Sequence, residues 1–214
     1  MRMHNFVVRI VDDDPSVCQS ISFMLEVAGY RVRSYTSATD FLKNDRWNDC
    51  GCLLLDVRMP RMSGLELQNF MQEHDIYIPI VFLSAHGDIS MAVQAVQKGA
   101  VDFLVKPPHI ESLLPILEKA CRQHQTYQAL QKEWGEVRQT WSTLTKAEKE
   151  TIRMIAKGFT NRRIAELLDI SEETVRSRRA HIFDKVDVRN AAELNDFIHQ
   201  RQQLMQRLGL EDCE

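Results

Sequence analysis

Short apolar runs alternate with amphipathic stretches through the first half of the chain. Short runs of β-branched and apolar residues predict strands, and apolar positions that recur every three or four residues predict helices. Strands and helices in alternation are typical of βαβ units around a parallel sheet. We therefore expect a doubly wound α/β domain with five parallel strands, over residues 6–11, 31–35, 52–56, 78–84 and 101–105.

From Ser112 onward the apolar positions follow a helical period alone. Apolar and aromatic residues recur at steps of three or four as far as Trp141, which predicts one long amphipathic helix from Ser112. Pro115 is tolerated in the first turn of such a helix, and Gly135 predicts a bend or break. The later part of this helix is either a solvated spacer or a dimerising coiled coil, although its stripe lacks sustained heptads.

A compact all-α segment is predicted after Trp141. Thr145 and Glu148 form a capping-box pattern that opens one helix, and Gly158 ends it. Three further helices are expected over residues 161–168, 171–186 and 190–208. The predicted organisation is thus an α/β domain over residues 1–111, a long helix over 112–142 and a four-helix domain over 143–214.

Composition and charge narrow the class of protein. A length of 214 residues suits two domains. The five cysteines are scattered without CxxC spacing, which argues against a disulfide framework and against a zinc site. The net charge of −3 argues against a protein devoted to coating nucleic acid.

The net charge differs between the two parts of the chain. Residues 1–120 carry 11 basic and 15 acidic side chains, a net charge of −4, and residues 121–214 carry 16 basic and 15 acidic side chains, a net charge of +1. No apolar run approaches the roughly 20 residues of a membrane span, and the N-terminus lacks a signal-peptide core. We therefore expect a cytoplasmic protein with no membrane partner.

Polar side chains follow the predicted strands at one edge of the sheet. Asp12 and Asp13 come after the first strand, Asp56 ends the third, Ser84 the fourth, and Lys106 follows the fifth. Open parallel sheets bind ligands at the carboxyl ends of their strands. Converging carboxylates repel each other unless a hard cation neutralises them, and Mg²⁺ prefers such oxygen ligands. A lysine and a hydroxyl beside them suit the oxygens of a phosphoryl group.

Four stretches at these strand ends resemble the receiver domain of two-component response regulators. They are IVDDD, LLLDVRMPRMSGLEL, IVFLSAHGD and GAVDFLVKP, in that order within residues 4–120. The resemblance implies a flavodoxin-like receiver fold in which Asp56 accepts a phosphoryl group from a sensor histidine kinase. It also implies Mg²⁺ held by Asp12, Asp13, Asp56 and the backbone carbonyl of Arg58.

The same resemblance implies a switch rather than a turnover enzyme. Lys106 is similar to the lysine that binds the phosphate, Ser84 to the residue that moves towards it, and Phe103 to the aromatic residue whose rotamer follows. Phosphorylation is then expected to promote homodimerisation through the face formed by residues 88–105. Pro108 departs from the family, which usually has an aromatic residue at this position.

Residues 144–200 resemble a LuxR/FixJ-type helix-turn-helix domain, with matching positions that include Leu144-Thr145, Asn161, Ile170-Ser171 and Val188-Arg189. The third helix of this domain, predicted over residues 171–186, has the size to fit the major groove, where arginine can read guanine edges. The resemblance implies binding to double-stranded DNA, and RNA polymerase is a further candidate partner. Ala147 and Arg178 stand where the family commonly has arginine and histidine. The candidate DNA contacts are Arg162, Thr174, Arg176, Ser177, Arg178, Arg179 and Lys185.

Two other classes of protein would share some of these features. An aspartyl-phosphate phosphatase-like enzyme has an acidic edge with a lysine, but it usually needs a second acid two residues after the nucleophile, and Asp56-Val57-Arg58 has none. A phospho-adaptor that does not bind DNA would have no use for the arginines of the predicted third helix. We therefore expect a transcriptional response regulator.

Overall fold

The computed structural model describes residues 6–85 and 89–210, and the chain divides into two compact units, Met1–Gln128 and Ala129–Glu214. The first unit contains the five strands that the sequence predicts, with bounds within two residues of the expected ones. The strands are β1 Val7–Val11, β2 Arg31–Tyr35, β3 Gly51–Asp56, β4 Ile80–Ser84 and β5 Asp102–Val105. The helices of the described residues are α1 Pro15–Val27, α2 Ala38–Asn44, α3 Gly64–Glu73, α4 Ile89–Gln97, α5 Ile110–Ser142, α6 Lys146–Ala156, α7 Asn161–Leu168, α8 Glu172–Val186 and α9 Ala191–Leu208.

The five strands form one parallel sheet in the order β2-β1-β3-β4-β5. This is the strand order of flavodoxin-like doubly wound folds, so the predicted fold class is confirmed. The register pairs Val11 with Leu55, Asp56 with Leu83 and Ser84 with Val105. The carboxyl ends of β1, β3, β4 and β5 therefore meet at one edge of the sheet.

Alternation along the strands gives the sheet two apolar faces. Ile10, Leu54 and Leu83 point to one face, where buried side chains of α1 and α5 cover them. Leu55 and Phe82 point to the other face, which is covered by α2, α3 and α4. Since β1, β3 and β4 are buried along their whole length, the sheet holds their carboxyl ends in fixed positions.

Arg9 is a charged residue inside this apolar sheet. Its side chain is completely buried on β1, where Nε donates to Asp45 Oδ2 at 2.6 Å and Nη2 donates to the carbonyls of Arg46 and Asp49 at 2.9 Å each. A buried guanidinium is tolerated when it is paired with a carboxylate, and of its three nitrogens only Nη1 has no partner among the described residues. Arg9 therefore anchors the loop between α2 and β3 to the middle of the sheet.

Gly51 begins β3 at a point where two backbones approach closely. A Cβ built on this residue would lie 1.8 Å from the carbonyl oxygen of Val7 on β1, so only glycine fits without a shift of the strands. The Gly51 N–H donates to Nδ1 of the buried His124 on α5 at 3.0 Å. Burial, the largest influence, lowers the pKa of His124, which favours the neutral ring that accepts this bond.

Helix α5 begins two residues earlier than the sequence predicts and ends at the predicted residue, Ser142. It begins at Ile110 rather than Ser112, because the carbonyl of His109 already accepts from the N–H groups of Ser112 and Leu113. Pro115 consequently lies inside the helix rather than in its first turn. Of the bend or break predicted at Gly135, the break does not occur, since α5 continues through this residue to Ser142. One glycine costs a helix only about 1 kcal/mol, which the surrounding turns can offset.

The C-terminal unit contains the four expected helices, α6 to α9, around its own apolar core. The capping box at the start of α6 is confirmed, because Thr145 accepts from the Glu148 N–H and Glu148 accepts from the Thr145 N–H. Asn190 caps α9 in a similar way, with Glu193 in the first turn. No helix in the described part of the chain is long and apolar enough to cross a membrane.

Gly51 is crowded by backbone and Gly135 is not, so substitution of both residues tests the packing between β1 and β3. We expect Gly51→Ala to lower the free energy of unfolding by about 3 kcal/mol, because the added methyl group overlaps the Val7 carbonyl. The control Gly135→Ala adds a methyl group that meets nothing within 4 Å, and it should stabilise α5 by roughly 0.5 to 1 kcal/mol. Urea denaturation followed by circular dichroism measures both. Equal stability of the two variants would contradict the close approach.

Candidate functional site

Three carboxylates meet at the carboxyl edge of the sheet, as the sequence predicts. Asp12 and Asp13 directly follow β1, and Asp56 is the last residue of β3. One oxygen from each lies within 4.8 Å of the others. Asp12 and Asp56 are buried and Asp13 is exposed. These three residues offer hard oxygen ligands of the kind that Mg²⁺ prefers, with one side open to solvent.

Lys106 lies between two of these carboxylates. Its Nζ is 2.5 Å from Asp12 Oδ2 and 3.0 Å from Asp56 Oδ1. The lysine follows β5 directly, and its N–H donates to the carbonyl of Ser84 at 2.8 Å, which ties it to the end of β4. The sheet therefore brings the predicted cation and the predicted nucleophile into direct contact.

Burial and charge act in opposite directions on these groups. Burial is the largest influence on Asp56 and raises the pKa of its carboxyl group, and Asp12 adds to this as a like charge, while Lys106 counteracts both. Burial works against the charged form of Lys106, but its bonds to Asp12 and Asp56 outweigh burial and raise the pKa of the ammonium group. Lys106 consequently stays cationic beside the carboxylates.

The loop after β3 is drawn tightly over Asp56. The N–H of Gly64, the first residue of α3, donates to the Val57 carbonyl at 3.0 Å. A Cβ on Gly64 would lie 2.2 Å from the carbonyl oxygen of Asp56, so this position requires glycine. A backbone hydrogen bond from Arg58 lowers the pKa of Asp56, although burial outweighs it. The role of the Arg58 carbonyl as a metal ligand stays a prediction.

Ser84 and Phe103 lie on β4 and β5, the two strands that follow β3 and Asp56 in the order of the sheet. Ser84 is buried at the end of β4, one residue beyond the partner of Asp56 in the sheet register. Phe103 is half-buried on β5, and its ring centroid is 6.4 Å from that of Phe82, its neighbour across β4 and β5. The end of the third motif, His86-Gly87-Asp88, lies outside the described residues.

The second candidate site is the helix pair α7 and α8 in the C-terminal unit. Asp169, in the left-handed conformation with φ of 52°, ends α7, and Ser171 caps α8 by accepting from the Thr174 N–H at 3.1 Å. Val175 and Ile182 bury one side of α8 in the core. The two helices joined by this short turn form a helix-turn-helix, a motif whose second helix generally enters the major groove of DNA.

The predicted DNA contacts on α8 fall into two groups. Thr174, Arg176 and Ser177 are exposed, and the Arg176 guanidinium is 3.6 Å from the carboxylate of Glu173, which is also exposed. His181 is exposed one turn after Ser177 and extends the same face. Arg178 is half-buried. The exposed group can reach a groove without unfolding any part of the unit.

The other predicted contacts are bonded to protein groups. Lys185 donates to both carboxylate oxygens of Glu148 at 2.8 and 2.9 Å, and Arg179 donates to Asn161 Oδ1 at 3.0 Å. Arg162 on α7 lies 3.3 Å from Glu166. Burial opposes ionisation of Glu148, but the bonds from Lys185 and Thr145 outweigh it and lower the pKa of this carboxyl group. Lys185 and Arg179 thus hold α8 against α6 and α7.

Comparison with known proteins agrees with both sites. Residues 8–118 match the response regulator receiver domain family, and residues 142–198 match the luxR family of bacterial regulatory proteins. The chain is 40% identical over 188 residues to the response regulator protein TmoT of Ectopseudomonas mendocina, covering 88% of this chain and 86% of that protein. It is 34% identical over 192 residues to the transcriptional regulatory protein FixJ of Rhizobium meliloti, covering 90% and 94%.

Solved structures of full-length regulators give the same result. The response regulator StyR matches with a TM-score of 0.80 and 37% identity, covering 92% of this chain and 99% of StyR. FixJ from B. japonicum matches with a TM-score of 0.56 and 29% identity, covering 94% and 98%. The chain therefore belongs to the two-component response regulators of the FixJ type, in which a receiver domain is joined to a LuxR-family DNA-binding domain.

Proposed function

We propose that Asp56 is the residue that accepts the phosphoryl group from a sensor histidine kinase. A carboxylate oxygen of Asp56 attacks the phosphorus of the phosphohistidine, the P–N bond breaks as the P–O bond forms, and the imidazole leaves with its electron pair. The observation that carries this proposal is the contact of Lys106 Nζ with Asp56 Oδ1 at 3.0 Å, which puts a fixed cation beside the reacting oxygen.

Asp12, Asp13 and Asp56, with the carbonyl of Arg58, are the residues that we propose to hold Mg²⁺. The donor set fits this ion, because all four groups offer hard oxygen atoms and the three carboxylates lie close together. When bound, Mg²⁺ offsets the negative charge on the oxygens of a transferring phosphoryl group.

The phosphoryl group on Asp56 then acts through Lys106, Ser84 and Phe103. Lys106 binds one of its oxygens as a point charge, and the Ser84 hydroxyl moves to donate to another. Phe103 is half-buried beside the end of β4 and turns into the space that the serine leaves. The protein in this proposal is a switch with two states rather than an enzyme that turns over a substrate.

We propose that the phosphorylated protein forms a homodimer through α4 and β5. Three apolar residues on these elements, Val93, Val96 and Val105, are each about half exposed. Exposed apolar residues on adjoining elements are typical of protein interfaces. A symmetric dimer pairs the same patch on both subunits and presents two DNA-binding domains to two half-sites.

Sequence-specific binding to DNA is proposed for the exposed face of α8. Thr174, Arg176 and Ser177, with His181, offer hydrogen-bond donors and a positive charge on one helix. Arg162 and Arg178 flank this face, and Arg179 and Lys185 contribute by fixing its position. Control of transcription follows when the dimer binds beside a promoter.

Substitution of the acceptor tests the first step. We expect Asp56→Asn to abolish labelling by radioactive acetyl phosphate, because an amide lacks the nucleophilic oxygen. Asp75→Asn is a matched control, since Asp75 is an exposed aspartate outside the acidic edge, and its positive φ of 55° suits asparagine. Mg²⁺-dependent labelling that persists in Asp56→Asn would show that another residue accepts the phosphoryl group.

Sedimentation velocity with and without beryllofluoride tests the dimer. The parent chain should be monomeric without the phosphate mimic and dimeric with it. Val96→Asp should prevent the dimer, because it puts a charge into an apolar contact. Val27→Asp on α1 is the control, as Val27 is more exposed than Val96 but lies outside α4 and β5, and it should leave the dimer intact. A monomer in every state would rule the proposal out.

Salt titration of binding to a promoter fragment tests the DNA interface. Arg176→Gln should weaken binding and reduce the slope of log K against log salt by about 1, because one phosphate-neutralising cation is lost. Arg122→Gln on α5 serves as control, since Arg122 is an equally exposed arginine beside a glutamate but lies in the first unit. An Arg176→Gln variant with the same slope as the Arg122→Gln control would count against α8 as part of the DNA interface.

A further inference from the structure

A cavity of about 430 Å³ lies in the C-terminal unit between α6 and α9. Trp141, near the end of α5, forms part of its wall, and Ile152 and Ile198 add apolar surface. Sites for small molecules are usually about 300 to 1,000 Å³ and combine apolar walls with a few polar groups. The proposed DNA contacts lie on α7 and α8, so the functions described above leave this cavity unused.

The charge of the cavity wall has one sign. Lys149 and Arg153 on α6 and Lys157 directly after it follow each other at intervals of four residues, and Arg201 enters from α9. Among the described residues that line the cavity, none is Asp or Glu. A concave wall with charges of one sign raises the local concentration of ions of the opposite sign. The cavity therefore favours an anion.

Arg201 distinguishes this cavity from a chance patch of surface lysines. The residue is only 7% exposed, and its guanidinium carbon lies 4.4 Å from the centroid of the Trp141 ring. Lys149 Nζ lies 5.5 Å from the same centroid. Both distances are within the range of cation–π contacts, which hold each cation against the ring. A ligand would thus meet two cations that are already ordered, which reduces the entropy cost of binding.

A neutral polar group also faces this cavity. Asn195 lies on its wall, and its Oδ1 atom is buried with no hydrogen-bond partner among the described residues. A buried carbonyl oxygen without a donor is costly, and the Asn195 side chain is only half-buried, so turning this oxygen towards an O–H or N–H group of a ligand would be favourable. A ligand that suits this cavity therefore has an anionic group for the cations and a hydrogen-bond donor for Asn195.

We propose that the cavity between α6 and α9 binds a small organic carboxylate with a flat apolar body and a hydrogen-bond donor. The carboxylate pairs with Arg201 and the lysine and arginine side chains of α6, because planar guanidinium groups suit this ion. The apolar body lies against Ile152, Ile198 and the indole of Trp141. This site is independent of phosphorylation at Asp56 and of the DNA-reading face of α8.

Isothermal titration calorimetry of the full chain with 6-hydroxy-2-naphthoate tests the proposal. This probe combines a flat ring system, a carboxylate and a hydroxyl group, and its size leads us to expect a Kd of about 1 mM or tighter. The methyl ester of the probe keeps the ring and the hydroxyl group but lacks the charge. It should bind about tenfold more weakly, because the charge-assisted bonds are lost.

Three variants locate the site. Arg201→Gln should weaken binding about tenfold, and Arg153→Gln, at the exposed rim, by about threefold. The rim variant keeps the test decisive if loss of the buried Arg201 unfolds the unit. Lys132→Gln on α5 removes the same charge from an exposed position that does not line the cavity, and it should bind as the parent does.

Four results would overturn the proposal. The first is the absence of any binding heat with the probe, and the second is equal affinity of the protein for the acid and its ester. The third is equal affinity of Arg153→Gln and Lys132→Gln for the probe. The fourth is a variant that loses affinity for DNA but not for the probe. In the last case Arg153→Gln would weaken binding to DNA of random sequence and leave probe binding unchanged. The basic wall would then serve the phosphate backbone of DNA.

Discussion

The contact of Lys106 with Asp12 and Asp56 is the interaction on which the acidic edge depends. One oxygen from each of the three carboxylates lies within 4.8 Å of the other two. Two like charges 4 Å apart repel by about 1 to 4 kcal/mol, depending on their exposure to water. One ammonium group at 2.5 and 3.0 Å offsets much of this repulsion. Because that cation is already in place, a phosphoryl group on Asp56 would enter a site that needs little rearrangement to accept its charge.

The backbone holds this arrangement more than the side chains do. Lys106 is tied to Ser84 by a backbone hydrogen bond, and Val57, directly after Asp56, donates to the carbonyl of Leu83. A shift of one residue in the register would turn each side chain to the other face of the sheet. The glycines at positions 51 and 64 allow the close backbone contacts that maintain this register and the loop over Asp56. The chemistry of the site is therefore a consequence of the parallel sheet.

Sequence reasoning succeeds here where the cause is local and fails where the partner is distant. The strand ends, the cap of α6 and the acidic edge follow from short patterns, and the structure contains them. The bonds of Arg9 and Lys185 cannot be predicted from short patterns, because their partners Asp45 and Glu148 lie 36 and 37 residues away along the chain. The start of β3 was missed by one residue, since glycine weakens a strand pattern and its close contact with Val7 is visible only in three dimensions.

The cations of α8 show why a count of arginines overestimates the size of a DNA interface. Lys185 is bonded to the capping box of α6, and Arg179 to the first residue of α7, so both would have to give up protein partners to reach a phosphate. A hydrogen bond to a charged group contributes roughly 1.5 to 3 kcal/mol, comparable with what a single contact to DNA could return. These two residues therefore hold the helix in place, and in the proposed interface the contacts with DNA would fall to its exposed side chains.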